Sequence, residues 1–146
     1  VTINAINNYN IAEVIQFASV NGAGLASTST SFVDITSATI TITPTSASSN
    51  ILIIASFASV NALGVNSSMY FQCLRGATVV PGGPPSGVYA GNAVVTAEQT
   101  NAANHFVAID SPATTGATTY KFQQRSSTGT TITTYNLHMI AMEIGA

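Results

Sequence analysis

"SATITITPTSASSNILIIASFASV", residues 37–60, reads as two strands and the turn between them. In its first half Ile40 and Ile42 point one way, and Thr39, Thr41 and Thr43 the other. That period of two is a half-buried strand with a hydroxyl-rich wet face. Pro44 stops it, because proline cannot donate to a sheet ladder. "TSASSN" at 45–50 is a turn cluster, and "ILII" at 51–54 opens a second strand, apolar on both faces as suits the middle of a sheet.

The same period extends outward in both directions. "AEVIQFAS" at 12–19 sets Val14, Gln16 and Ala18 against Glu13, Ile15 and Phe17. "SMYFQCLRG" at 68–76 sets Met69, Phe71 and Cys73 against Tyr70, Gln72 and Leu74. "PGGPPSG" at 81–87 is a loop, and "VYAGNAVVTAE" at 88–98 is a weaker strand interrupted by Gly91. "HFVAID" at 105–110 is a short extended piece. "ATTYKFQQRS" at 117–126 places Tyr120, Phe122 and Gln124 on one side, and Lys121, Gln123 and Arg125 on the other. "TTITTYNLHMIAMEI" at 130–144 is the last and longest strand. "NYNIAEVIQFASV" can be written as a helix, but it lacks a stop signal and is rich in β-branched residues. About eight short strands separated by turns predict an all-β antiparallel sandwich or barrel. The Asn-rich segment 1–11 reads as an amino-terminal arm or linker, and 12–146 as a single domain.

Composition narrows the function classes. The 146 residues make one domain, large enough to hold a core without a disulfide or metal. Cys73 is the only cysteine, so an internal disulfide and thiolate metal sites are excluded. Charged residues make up 5% of the chain, against about 25% in ordinary soluble domains, and net charge is −2. A surface so poor in charge repels its neighbours weakly, which points to life within an assembly. Three cations do not form a phosphate-binding stripe, so nucleic acid is not an expected partner. The apolar runs fall far short of the ~20 residues of a membrane helix, and no membrane partner is expected. The sequence shows no signal-peptide pattern. It starts at Val1 without Met, so either an initiator was removed or a longer protein contains it.

Catalytic constellations are not visible. The five carboxylates, Glu13, Asp34, Glu98, Asp110 and Glu143, are scattered, and no nucleophile elbow, phosphate loop or dinucleotide fingerprint occurs. His105 and Asp110 fall on opposite faces of one strand, which argues against a local metal pair. His138 lies in a row with Ile140, Met142 and Ile144, as a hydrogen-bonded core or interface residue. Cys73, aligned with Met69 and Phe71, reads as a buried structural thiol. Met139 and Met142 read as core. "NSS" at 66–68 fits the short N-glycosylation pattern, and "RGA" at 75–77 a turn. The expectation is a non-enzyme without cofactor or metal. Lys121 and Arg125, on one polar strand face, meet solvent or a carboxylate of a neighbouring subunit.

Four ordered blocks carry a family resemblance: "STSTSFVDITSATITITPTSASSNILI" at 27–53, "LRGATVV" at 74–80, "DSPATTGATTYKFQQR" at 110–125 and "MEIGA" at 142–146. Together they resemble β-rich structural domains of tailed-bacteriophage virion proteins. The resemblance implies a jelly-roll-like β-sandwich, commonly a homotrimer, residing in the virion and carrying no catalytic residues. The short chain with its amino-terminal arm points, within that setting, to a capsid decoration (cement) protein bound to the major capsid protein or other virion proteins. The alternative is the receptor-binding tip of a tail or head fibre, where loop 81–92 with Tyr89 holds a host surface glycan. Tyr9, Tyr89, Lys121, Arg125 and His138 are the candidate partner or inter-subunit contacts. In such a sandwich Ile40, Ile42, Ile53, Phe57, Phe71, Phe122, Leu137 and Met139 form the expected core.

Overall fold

A computed structural model describes residues 14–61, 68–81, 88–90 and 100–145. Its strands are β1 (Val14–Gly22), β2 (Leu25–Ser27), β3 (Val33–Ile42), β4 (Asn50–Asn61), β5 (Met69–Arg75), β6 (Thr78–Val79), β7 (Val88–Ala90), β8 (Thr100–Asp110), β9 (Thr118–Ser126) and β10 (Ile132–Ile144). They pair antiparallel in two sheets. The first runs β1-β10-β4-β8, with β2 also on β10; the second runs β3-β9-β5-β6, with β7 also on β5. After the β1–β2 edge, the chain passes to the opposite sheet at β3, back at β4, across at β5, back at β8, across at β9 and back at β10. This winding is that of a jelly roll, an antiparallel sandwich whose two inner faces share one core.

The core follows from the alternation. Ile40 and Ile42 of β3, Ile53 and Phe57 of β4, Phe71 of β5, Phe122 of β9, and Leu137 and Met139 of β10 are all buried. Four rings bolt the layers together. Phe57 from the first sheet lies 4.5 Å from Phe71 and 5.5 Å from Phe122 of the second, centroid to centroid. Phe106 of β8 meets Phe122 edge-on at 5.3 Å. The fully buried Gln124 has both ends of its side chain matched. The Gln124 amide donates to the Leu25 carbonyl at 2.9 Å, and its oxygen accepts from the Thr134 hydroxyl. Cys73 is buried, as its alignment implies.

Irregular backbone accounts for the departures from the expected pattern. A bulge between Val14 and Gln16 puts Val14 opposite Ile144 on the outer face, not beside Gln16 on the inner one. In β3 the register shifts between Asp34 and Thr39, where Ser37 has φ 60°, and Ala38 is buried. In β10 Asn136 has φ 50° at the bulge between Tyr135 and His138. That bulge resets the phase, so that Ile132 and Thr134 face inward before it and Leu137, Met139 and Ala141 after it. Met142 therefore faces outward and does not belong to the core. Leu74, assigned to the outer face, is buried. β8 is longer than expected because its weakly β-forming start is recruited by β4, with the Asn104 amide donating to the Ser59 hydroxyl at 2.7 Å. Gly24 (φ 87°) is obligatory, since a Cβ there would sit 2.2 Å from the Thr134 carbonyl oxygen.

Candidate functional site

The two outer faces of the sandwich differ in kind. On the second sheet β3 presents Asp34, Thr39 and Thr41, and β9 presents Thr119, Lys121, Gln123 and Arg125. The Lys121 ammonium lies 3.1 Å from an Asp34 carboxylate oxygen. Gln123 donates to the other oxygen at 2.5 Å, and accepts from the Gln72 amide at 2.6 Å. The Gln123 bond and then the Lys121 contact hold the Asp34 carboxyl below its ordinary range. The Arg125 guanidinium stacks 4.0 Å above the Tyr70 ring and 5.2 Å from that of Phe32. This is a polar face knitted together within the chain.

The first sheet's outer face is apolar. The register aligns Phe17, Met142, Leu52 and Ile109 in one row across all four strands. The adjacent row is Ser19, Ile140, Ile54 and Val107. Val14 and Ile144 continue it at one end. At the other, the row Asn21, His138, Ser56 and His105 turns polar. No Asp, Glu, Lys or Arg stands in these rows. Phe17 is 69% exposed, Ile109 59% and Val107 57%, whereas side chains of that kind normally seek cover. At ~4.8 Å between strands and ~6.8 Å between rows, the apolar positions cover about 300 Å² in projection. Contiguous patches of that order on monomers are often functional.

Two buried carboxylates are bound up with structure. Glu143, at the inner side of β10, accepts from the Gln16 amide at 2.6 Å and from the Thr45 N–H and hydroxyl at 2.7 Å each. Burial raises its pKa, but the bonds from Gln16 and Thr45 outweigh that and lower it to about 2. Asp110 accepts from the Tyr120 hydroxyl at 2.7 Å and pairs with Arg75 at 3.2 Å. An open depression of about 340 Å³ lies beside them, between Arg75, Val79, Pro81 and Ile109. Desolvation, then the neighbouring Asp110 charge, pushes the Cys73 thiol up to about 12.

The candidate contacts named from the sequence are thus divided. Lys121 and Arg125 share the polar face, each with a partner in its own chain. His138 stands on the opposite side of the molecule, at the border of the apolar face. Tyr9 lies outside the described residues, and of Tyr89 only the backbone pairing with Tyr70 is described. The apolar face itself is not among those contacts, although its signal is present in the sequence. "AEVIQF", "ILII", "HFVAI" and "HMIAMEI" carry apolar residues on both sides, unlike the Thr- and Gln-lined strands of the other sheet.

No protein-family model matches the sequence, and no curated protein does. Among solved structures, the chain is similar to the VP2 subviral particle of infectious bursal disease virus, with 12% identity, 90% of this chain and 37% of that one covered, and a TM-score of 0.48. It is similar to the T13 viral particle of the same virus, with 11% identity, 91% and 38% covered, and a TM-score of 0.49. It is also similar to dimeric latent PorU from Porphyromonas gingivalis, with 8% identity, 91% and 14% covered, and a TM-score of 0.38. The chain spans little more than a third of the length of the viral chains it matches. One sandwich architecture serves many functions, and function resides in the site built on it.

Proposed function

We propose that this chain is an adhesive structural component of a virus particle, a decoration protein that reinforces the capsid by binding across its subunits. The observation that carries the proposal is the uncharged apolar face spanning the full width of the first sheet. Such a face on a chain with 5% charged residues favours contact over solution. The sequence blocks that resemble virion domains give the contact its setting. The work done is burial of area, with no reacting group, and the strength of the bond depends on how well the covered centre packs. The polar sheet, its charges satisfied internally, suits the side left in water.

The test is position and number. Virions are imaged and the chain quantified against the major capsid protein by mass spectrometry. Hundreds of copies over the capsid surface are expected. A few dozen or fewer, at a fibre end, would transfer the chain to receptor binding, and none at all would end the virion reading.

A further inference from the structure

Resting on the reading that this face is a contact surface, we infer that in the free chain its occupant is the same face of a second copy, a pair that must part before the face can meet the capsid. Three observations lead there. The first is width. The row Phe17, Met142, Leu52 and Ile109 is apolar from the edge strand β1 to the edge strand β8, and in the next row only Ser19, at the β1 edge, is polar. A single strand or loop covers a fraction of that span, whereas a second four-stranded sheet matches it, packing about 10 Å away.

The second is charge. A face pairing with itself about a two-fold axis sets each group against a symmetry-related equivalent, so any net charge would meet its like. These rows contain no formally charged Asp, Glu, Lys or Arg, and the chain's net charge of −2 adds little repulsion. The third is the shape of the patch. A ring assembly joins two different surfaces, head to tail. The described residues offer one broad apolar face, and the opposite outer face is Thr, Gln and paired charge.

A two-fold axis parallel to the strands sets β1 over β8 of the second copy. Each apolar row then lies over an apolar row, and the protruding Phe17 falls on the second copy's Ile109 edge. The row with His138 and His105 forms a polar rim at one end. With side-chain relief, the pair buries on the order of 1,000 Å² in all, the lower bound for a specific interface. An interface of that size stands at the weak end of specific association, so micromolar concentrations are where the pair is to be sought.

Sedimentation equilibrium of the purified chain from about 1 to 100 μM tests this. The wild type should shift from monomer to dimer across that range. Val107→Glu, on the exposed edge strand, should stay monomeric at every concentration with unchanged circular dichroism. Ile54→Glu, at the centre of the face, should do the same, and Val107→Glu decides the matter where Ile54→Glu does not fold. A wild type that is monomeric throughout, or trimeric, overturns the inference, as does a Val107→Glu variant that dimerises like its parent. The two readings fail separately. A chain monomeric in solution but abundant on virions removes the two-fold pair and keeps the virion role. A dimer never found on particles does the reverse.

Discussion

Replacing Phe122 by Ala removes the ring on which the others converge. Phe122 is fully buried on β9 and takes edge-on contacts from Phe57 at 5.5 Å and Phe106 at 5.3 Å, both reaching over from the first sheet. Truncating a core Phe to Ala costs about 3–5 kcal/mol, the spread reflecting how far the site can collapse. Collapse is hindered here because the neighbours are rings on two different sheets, held by their ladders. Ring pairs of this geometry add about 0.5–1.5 kcal/mol beyond area, which places the loss near 4 kcal/mol. At roughly 3 °C per kcal/mol for a chain of this size, Tm should fall by roughly 12 °C. Urea unfolding followed by far-UV circular dichroism checks the free energy, with an unchanged m-value showing that the same surface is exposed. Thr119→Ala, on the wet face of the same strand, should stay within about 0.5 kcal/mol of the parent. A Phe122→Ala protein melting within about 3 °C of wild type would refute the inter-sheet ring cluster.

Two further outcomes test the buried chemistry. The Glu143 carboxyl has its pKa lowered to about 2 in the fold, from an ordinary value of 4.5. Its contribution to stability is therefore complete above pH 4.5 and lost as pH falls through that value towards 2. Glu143→Gln should be less stable at neutral pH, having exchanged an acceptor for a donor facing the Thr45 N–H, and should show a shallower loss of stability with acid; an unchanged acid limb would refute the assignment. Cys73, buried with its thiol pushed up to about 12, should react with a thiol reagent at pH 8 at least roughly a thousandfold more slowly in the folded chain than in urea. Rapid labelling of the native protein would show that β5 opens readily.

The core was legible wherever hydroxyl or amide residues marked the wet side. Thr39, Thr41 and Thr43 declared Ile40 and Ile42 to be inside, and Gln123 with Lys121 did the same for Phe122. The rule weakened where both sides are apolar, and there the outward-facing Phe17, Met142, Val107 and Ile109 compose the apolar face. Bulges were illegible for a different reason. Nothing local compels Asn136 or Ser37 to positive φ; the surrounding pairings impose it. Partnerships distant in sequence, such as Lys121 with Asp34 or Gln16 with Glu143, exist only once the sheets have formed. The placement of His138 beside Ile140 and Ile144 could be read directly, because the three lie on one unbroken stretch of strand.

The strand order has a consequence for biosynthesis. β1 is held in its sheet by β10, with Val14 opposite Ile144, and β10 also stands between β1 and β4. A ribosome therefore releases β1 long before its sheet neighbour has been made. Until then the nascent chain carries an unzipped hairpinless edge and an oily surface with no sister strand, the circumstance in which chaperones are recruited and contact-order-limited folding is slow. Closure of the first sheet therefore waits until β10 has been made, and removing Ile132–Ile144 would leave that layer split in two.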